Sequence, residues 1–198
     1  YWYDIVEIIT LKPQYRKFTY YIILGSVPAG VIGILYQDVI AKVFDEIIIV
    51  GFMLIITGVL LWLSDRITSQ DRNMEEMNFI DAILVGCAQA FAILPGVSRS
   101  GSTIVAGLFK GLDRKLAAKY SFLLSIPVIG GATLLQTFDL IKEGFGTFGP
   151  VELASGTIAA AIAGYFAIKL LVKLVNQERL SVFAYYCWGL GLIIILFF

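Results

Sequence analysis

Six stretches of this chain carry no charged side chain: residues 19–37, 47–64, 82–98, 120–138, 153–168 and 180–198. Each approaches the roughly 20 apolar residues that a helix needs to cross a bilayer. The pattern predicts helical segments over 19–37 and 47–64, a hydrophilic loop over 65–78, and a segment over 79–94 that stops at Pro95. A short helix follows over 101–111, then three segments over 116–138, 151–175 and 180–198. Residues 1–17, interrupted by Pro13, read as the tail of an earlier element and a basic loop. The 101–111 helix differs from the others. Only ten uncharged residues lie between Arg99 and Lys110, enough for half a crossing at about 1.5 Å per residue. Residues 79–112 are therefore expected to form a re-entrant pair of helices broken at Pro95-Gly96. Irregular backbone at membrane depth persists only where it is buried in protein or lines a wet cavity.

Composition agrees with the pattern. Hydrophobic residues make up 59% of the 198 and charged residues 15%, against about 45–50% and about 25% in soluble domains. Mean hydropathy is +0.85. The fold class expected is an all-α polytopic membrane protein with about five transmembrane helices, one re-entrant helix–loop–helix and an internal repeat, in a single membrane domain over 1–198. Soluble and disordered readings are excluded. Fifteen basic residues balance fifteen acidic ones with no basic run, which excludes a nucleic-acid partner. Cys87 and Cys187 lie in apolar segments, where they pack as small hydrophobes. The chain has no His, so imidazole base catalysis and His-rich metal sites are absent from it. It opens at Tyr1 without an initiator Met or a signal-peptide pattern, and is expected to be the C-terminal portion of a longer chain.

Two patterns bear on topology. Lys12, Arg16 and Lys17, then Lys110, Arg114, Lys115 and Lys119, then Lys169, Lys173 and Arg179 all fall on one side if 79–112 re-enters and the other segments cross. The positive-inside rule makes that side cytoplasmic and places the C-terminus outside. In addition, Tyr21-x-x-Leu24-x-Ser26-x-Pro28 recurs 99 residues later as Tyr120-x-x-Leu123-x-Ser125-x-Pro127. Duplicated halves are common in membrane proteins that bind a substrate between them.

The chemistry concentrates in Leu94-Pro-Gly-Val-Ser-Arg-Ser-Gly-Ser-Thr103. Pro95 stops one helix, and Gly96 and Gly101 let backbone approach a ligand. Ser98, Ser100, Ser102 and Thr103 supply hydroxyls. The helix after the turn offers free N–H groups and a positive dipole end. Arg99 adds a planar cation suited to two phosphate oxygens, at a cost from about 2.5 kcal/mol upward at membrane depth. An interfacial loop with a snorkelling Arg99 is the plainer alternative, but it leaves two glycines and four hydroxyls around one cation unexplained. The residues describe an anion site, with cleavage and transport of the anion both open. Gln89 either reaches this turn or bonds a neighbouring helix. Asp113, Arg114 and Lys115 read as a solvated turn, and Tyr1, Trp2, Tyr3, Tyr185, Tyr186 and Trp188 as an aromatic belt.

Pro95-Gly96-x-Ser98-Arg99-Ser100-Gly101-x-Thr103, flanked by Ala92-Ile-Leu and by Tyr120-Ser-Phe-Leu-Leu-Ser-Ile-Pro127, resembles the signature of the undecaprenyl-diphosphate phosphatases, bacterial membrane enzymes associated with bacitracin resistance. The resemblance covers essentially the whole chain. It implies hydrolysis of a polyprenyl diphosphate lipid to the monophosphate in the bacterial cytoplasmic membrane, recycling the lipid carrier of cell-wall synthesis. It further implies a divalent cation, Mg2+ or Ca2+, and a cleft opening on the outer face. By resemblance Arg99 holds the diphosphate, Ser98 contacts or attacks it, and Thr103 binds a phosphate oxygen, with Gly96, Ser100, Gly101 and Ser102 completing the phosphate-binding turn. The family's second signature, Glu-x-x-x-Glu followed by a Ser-rich turn and a His, has no counterpart here. Asp71 and Glu75 share the spacing but lie in a hydrophilic loop. Metal ligands and a general base are therefore expected upstream, and a chain limited to these residues is expected to be inactive by itself. The alternative is a transporter or flippase for a lipid phosphate or other anion, and a homodimer is left open.

Overall fold

The computed structural model describes residues 1–67, 71–143 and 149–198, so residues 68–70 of the expected hydrophilic loop lie outside the described residues. The described residues form α-helices and a single 3₁₀ turn at Pro13–Tyr15. The helices are α1 (Trp2–Ile9), α2 (Arg16–Leu35), α3 (Gln37–Phe44), α4 (Ile47–Ser64), α5 (Phe79–Phe91), α6 (Arg99–Phe109), α7 (Arg114–Glu143), α8 (Pro150–Asn176) and α9 (Ser181–Phe197). Four spans are long and apolar enough to cross a membrane: Pro13–Leu35, Ile47–Ser64, Arg114–Lys142 and Val151–Asn176. Helix α9, with 17 residues, meets the lower length limit. The protein is thus an all-α, multi-pass membrane protein. Helix α3 is not among the elements the apolar pattern predicts. It carries Asp38 and Lys42 between apolar side chains, too short and too charged to cross, and lies largely exposed between α2 and α4.

Polar contacts between helix ends fix which ends share a side. At the start of α2, Lys17 Nζ donates to the Glu75 carbonyl at 2.7 Å. The Tyr15 hydroxyl and Lys119 Nζ both meet Asp4 Oδ1 at 2.7 Å. Arg114, at the start of α7, bonds the Ser64 carbonyl at the end of α4 and pairs with Glu178 just after α8. Asp65 accepts from the Leu180 and Ser181 N–H groups at the start of α9. The starts of α2, α7 and α9 therefore lie together with the ends of α4 and α8. All three basic clusters share this side, and the C-terminus lies opposite.

The α5–α6 pair begins and ends on that same basic side, so it re-enters. Asn78 and Asp81 form a capping box at the start of α5. Asp81, fully buried, receives two bonds from the Arg72 guanidinium, at 2.6 and 3.2 Å. Lys110 Nζ lies 3.9 Å from the same carboxylate. Arg72 also donates to the carbonyls of Lys110 and Glu76, and its backbone pairs with Gly111 and Asp113. The hydrogen bonds to Asp81 raise the Arg72 pKa above its ordinary value. This clamp ties both ends of the pair into one knot.

Helix α5 seats against α2 through two glycines. A Cβ on Gly86 would run into the Gly25 carbonyl, and one on Gly25 would lie 3.1 Å from the Ala82 carbonyl. Close backbone approach of this kind supplies the packing that lipid-solvated helices need. On the other flank, the Tyr120 hydroxyl of α7 donates to the Tyr21 carbonyl of α2 at 2.6 Å. Both helices start on the basic side, so the two copies of the repeated motif run in the same direction. Ser26 and Ser125 bond carbonyls of their own helices, Ile22 and Phe122. Buried residues of α2, α5, α6 and α7, including Phe18, Val85, Ile104, Leu108, Tyr120 and Leu124, form the core around the re-entrant pair.

Removing one partner of a buried ion pair strands the other charge, which costs about 3 kcal/mol or more. Asp81→Ala is therefore expected to lower the thermal unfolding midpoint of the detergent-solubilised protein clearly. An unchanged midpoint would show that the Arg72–Asp81 clamp does not hold the re-entrant pair.

Candidate active site

The turn between α5 and α6 sits at the deep end of both helices. With 11 residues in α6 and a rise of about 1.5 Å each, Arg99 lies about 16 Å in from Lys110 on the basic side. That is about half of a hydrocarbon core roughly 30 Å thick. Gly96 adopts φ +87°, a left-handed conformation that favours glycine. A Cβ there would also lie 3.0 Å from Met53 Cβ and 2.5 Å from the Val50 carbonyl. The turn thus rests directly on α4.

One α4 side chain holds it there. Thr57 Oγ1 donates to the Gly96 carbonyl at 3.1 Å and accepts from the Ser98 N–H at 3.2 Å. Ser98 is the N-cap of α6, its Oγ accepting from the Gly101 N–H at 3.1 Å. The next two amides, Arg99 N–H and Ser100 N–H, have no partner among the described residues. They stand at the positive end of the α6 dipole, the usual setting for a bound anion.

Arg99 reaches α7, where its Nη1 donates to the Ser121 carbonyl at 3.3 Å. No carboxylate lies within 4.0 Å of its guanidinium among the described residues. The side chain is half-buried, and a single backbone acceptor leaves most of its five donors open. Thr103 turns inward: its Oγ1 bonds the carbonyls of Arg99 and Ser100 at 2.9 and 3.2 Å and meets Ser121 Oγ at 2.6 Å. Thr103 and Ser121 are both fully enclosed.

The seven residues singled out in the motif therefore divide. Ser98, Arg99, Ser100 and Gly96 are partly exposed around the turn, whereas Gly101, Ser102 and Thr103 are buried on the core side of α6. Gln89 lies one stripe down α5 from Asp81 and Val85, and is 1% exposed. Neither atom of its amide, nor the Ser102 hydroxyl, finds a partner among the described residues. Of the two expectations for Gln89, the bond to a neighbouring helix is not made within them.

The carboxylates stand elsewhere. Asp71 and Glu75 are exposed on the basic side, away from the turn. A cavity of about 650 Å³ opens there beside Asp65, Asp113 and Glu178, but Asp65 and Asp113 cap α9 and α7 and Glu178 pairs with Arg114. Among the described residues no group of three or more His, Cys, Asp or Glu side chains comes together to hold a metal ion. The donors at the turn, hydroxyls and a guanidinium, do not suit a divalent cation.

Thr57 and Ser121 are the two residues that motif reading misses. Ser121 stands in the flank Tyr120–Pro127 but is a spacer in the repeated motif, and no site role is read for it there. Thr57 is an isolated hydroxyl in an apolar helix, with no local pattern to mark it.

The family model described as "Bacitracin resistance protein BacA" matches residues 1–193. The undecaprenyl-diphosphatase of Halothermothrix orenii is 47% identical over 196 residues, covering 99% of this chain and 76% of that protein. That of Alkaliphilus metalliredigens is 41% identical over 198 residues, covering 98% and 72%. A protein of the same name from Methanothermobacter thermautotrophicus is 49% identical over 177 residues, 88% of this chain and 97% of its own length. With a cation-bearing turn at mid-membrane depth and matches that run nearly from end to end, the chain belongs to the bacitracin resistance protein BacA family.

Proposed function

We propose that the protein hydrolyses undecaprenyl diphosphate to undecaprenyl phosphate and inorganic phosphate, recycling the lipid carrier of cell-wall synthesis. The observation that carries this reading is Arg99, a permanent cation at the inner end of the re-entrant pair with no carboxylate partner among the described residues. A charge there is costly unless an anion compensates it. A lipid diphosphate delivers its anion from within the bilayer while its isoprenoid tail stays in the hydrocarbon. The relatives named undecaprenyl-diphosphatase and the family match support the same substrate. Transport of a lipid phosphate is the less favoured reading.

In the reaction an oxygen nucleophile adds to the terminal phosphorus, the bridging P–O bond breaks, and the lipid monophosphate leaves with the bond's electron pair. Arg99 and the free amides of Arg99 and Ser100 face the phosphoryl oxygens, where negative charge gathers. Ser98 orients the diphosphate. Its Oγ already accepts from Gly101, and among the described residues no carboxylate is bonded to it, so within them no base stands ready to take its proton. Water is proposed as the nucleophile; like Ser98 it would pass its proton to a base that the described residues do not supply. Thr103 holds Arg99 through the Arg99 carbonyl and Ser121, and so acts on the phosphate through the guanidinium. Since the described residues offer no ligand set for the divalent cation, no step is assigned to it. The membrane is proposed to be the bacterial cytoplasmic membrane, with the basic side inward by the positive-inside rule.

Phosphate release from undecaprenyl diphosphate by the full-length protein in detergent, where no sides exist, separates hydrolysis from transport. Arg99→Ala is expected to abolish nearly all release while the protein remains folded, and Arg99→Lys to restore only part, because the two-pronged geometry is lost. Near-normal release by Arg99→Ala would remove the turn from the active site. Ser98→Ala is expected to lose on the order of 10²–10³-fold, the effect of deleting one transition-state donor. Complete loss together with acid-stable phosphate trapped on Ser98 would instead make it the nucleophile. EDTA is expected to stop release and Mg2+ or Ca2+ to restore it; turnover that persists through exhaustive chelation would exclude the cation.

A further inference from the structure

Most hydroxyls of the membrane-spanning helices follow one habit, and Thr57, like Ser121, breaks it. Ser26, Ser64, Ser125, Thr133, Thr137 and Thr157 each donate to a carbonyl three or four residues back in their own helix. That is the ordinary way to satisfy a hydroxyl in lipid. Thr57, in an otherwise apolar α4, turns away from its own helix to a turn 39 and 41 residues further along the chain. Its one proton goes to the Gly96 carbonyl and its lone pair to the Ser98 N–H. At 2% exposure it faces no solvent.

The two groups it engages flank Val97 and sit immediately before the first amides of α6. Gly96 is pressed on α4 at Val50 and Met53. Thr57 adds a directional constraint to that contact. Holding the Ser98 N–H fixes the peptide plane between Val97 and Ser98, and with it the direction of the next N–H groups, those of Arg99 and Ser100. We infer that Thr57 is a positioning residue of the phosphatase, a latch on α4 that aims the N-terminal amides of α6 and the Arg99 side chain at the substrate phosphate. The inference rests on the phosphatase reading above and adds to it a residue outside the motif. Without the hydroxyl, the Gly96 carbonyl and Ser98 N–H lose their partners at membrane depth, and the turn must shift to satisfy them. Displacements near 1 Å at a reacting centre lower rates by about 10²-fold.

The test is steady-state kinetics and thermal unfolding of the full-length protein in detergent with undecaprenyl diphosphate. Thr57→Val keeps the shape and removes the hydroxyl; Thr57→Ser keeps the hydroxyl and removes a methyl. Thr57→Val is expected to lower kcat about 10²-fold with KM much less affected, since the donors it misaligns act mainly in the transition state. Thr57→Ser is expected to stay within a few-fold of wild type, and both variants to unfold near the wild-type midpoint. A Thr57→Val kcat within threefold of wild type would overturn the inference, as would a Thr57→Ser loss as large as that of Thr57→Val. If Thr57→Val does not fold, the comparison passes to Thr57→Ala and Thr57→Ser, with the same outcomes deciding. If the wild-type protein itself releases no phosphate, the phosphatase reading falls and takes the latch with it. Activity in the wild type and in Thr57→Val alike removes the latch alone.

Discussion

The structure depends on one constraint: a broken backbone and a permanent cation stand half-way through a hydrocarbon layer, and each must find hydrogen bonds there. Lipid hydrocarbon does not supply them. The turn at Pro95-Gly96 interrupts two helices and exposes peptide groups that a continuous helix would have satisfied internally. Helix α4 meets this need with Thr57, and α7 meets the rest with Ser121, whose carbonyl accepts from Arg99 and whose hydroxyl meets Thr103. Left open at the turn are the first amides of α6 and most of the guanidinium, donors of the kind that an anion meets at a helix N-terminus.

Depth is set from the opposite end. The Arg72–Asp81–Lys110 clamp holds α5 and α6 at the basic surface, and the lengths of the two helices then determine how far in the turn reaches. Gly25 and Gly86 bring α2 and α5 into backbone contact, which prevents the pair from sliding along its neighbour. On the far flank, Tyr120 reaches across α7 to the Tyr21 carbonyl and fixes α7 beside α2. Ser121, the next residue, then falls beside Arg99. An ion cluster around the buried Asp81 and two glycines thereby decide how far in Arg99 rests.

Much of this was legible in the sequence, and the division has a physical basis. The apolar runs revealed the crossings because their period and length are dictated by the bilayer. Ten uncharged residues between Arg99 and Lys110 revealed the re-entrant helix for the same reason. The motif revealed the turn, since Pro, Gly and an isolated Arg have few other uses at that depth. Contacts between distant segments left no such trace. Arg72 and Asp81 looked like parts of a solvated loop and a helix start, yet they form the clamp. Thr57 is one hydroxyl in an apolar run, with no local pattern to mark it. Thr103 was expected at the phosphate; its hydroxyl instead faces α7, because at position five of α6 it points a full turn behind the amides that open the helix.

The buried polar atoms left over have a direction as well. Gln89 and Ser102 lie on the core side of the re-entrant pair with unpaired polar atoms, and an apolar side chain at either place would cost the resting fold less. The same holds for Arg99, which a leucine could replace without any desolvation cost. Around one short turn, then, the chain retains polar capacity that its own described residues do not use. Stability alone would favour removing it. Binding of a charged headgroup would explain keeping it, because donors already fixed need no reorganisation when the anion arrives. The unpaired donors that cost the resting fold are the ones that the proposed diphosphate would meet.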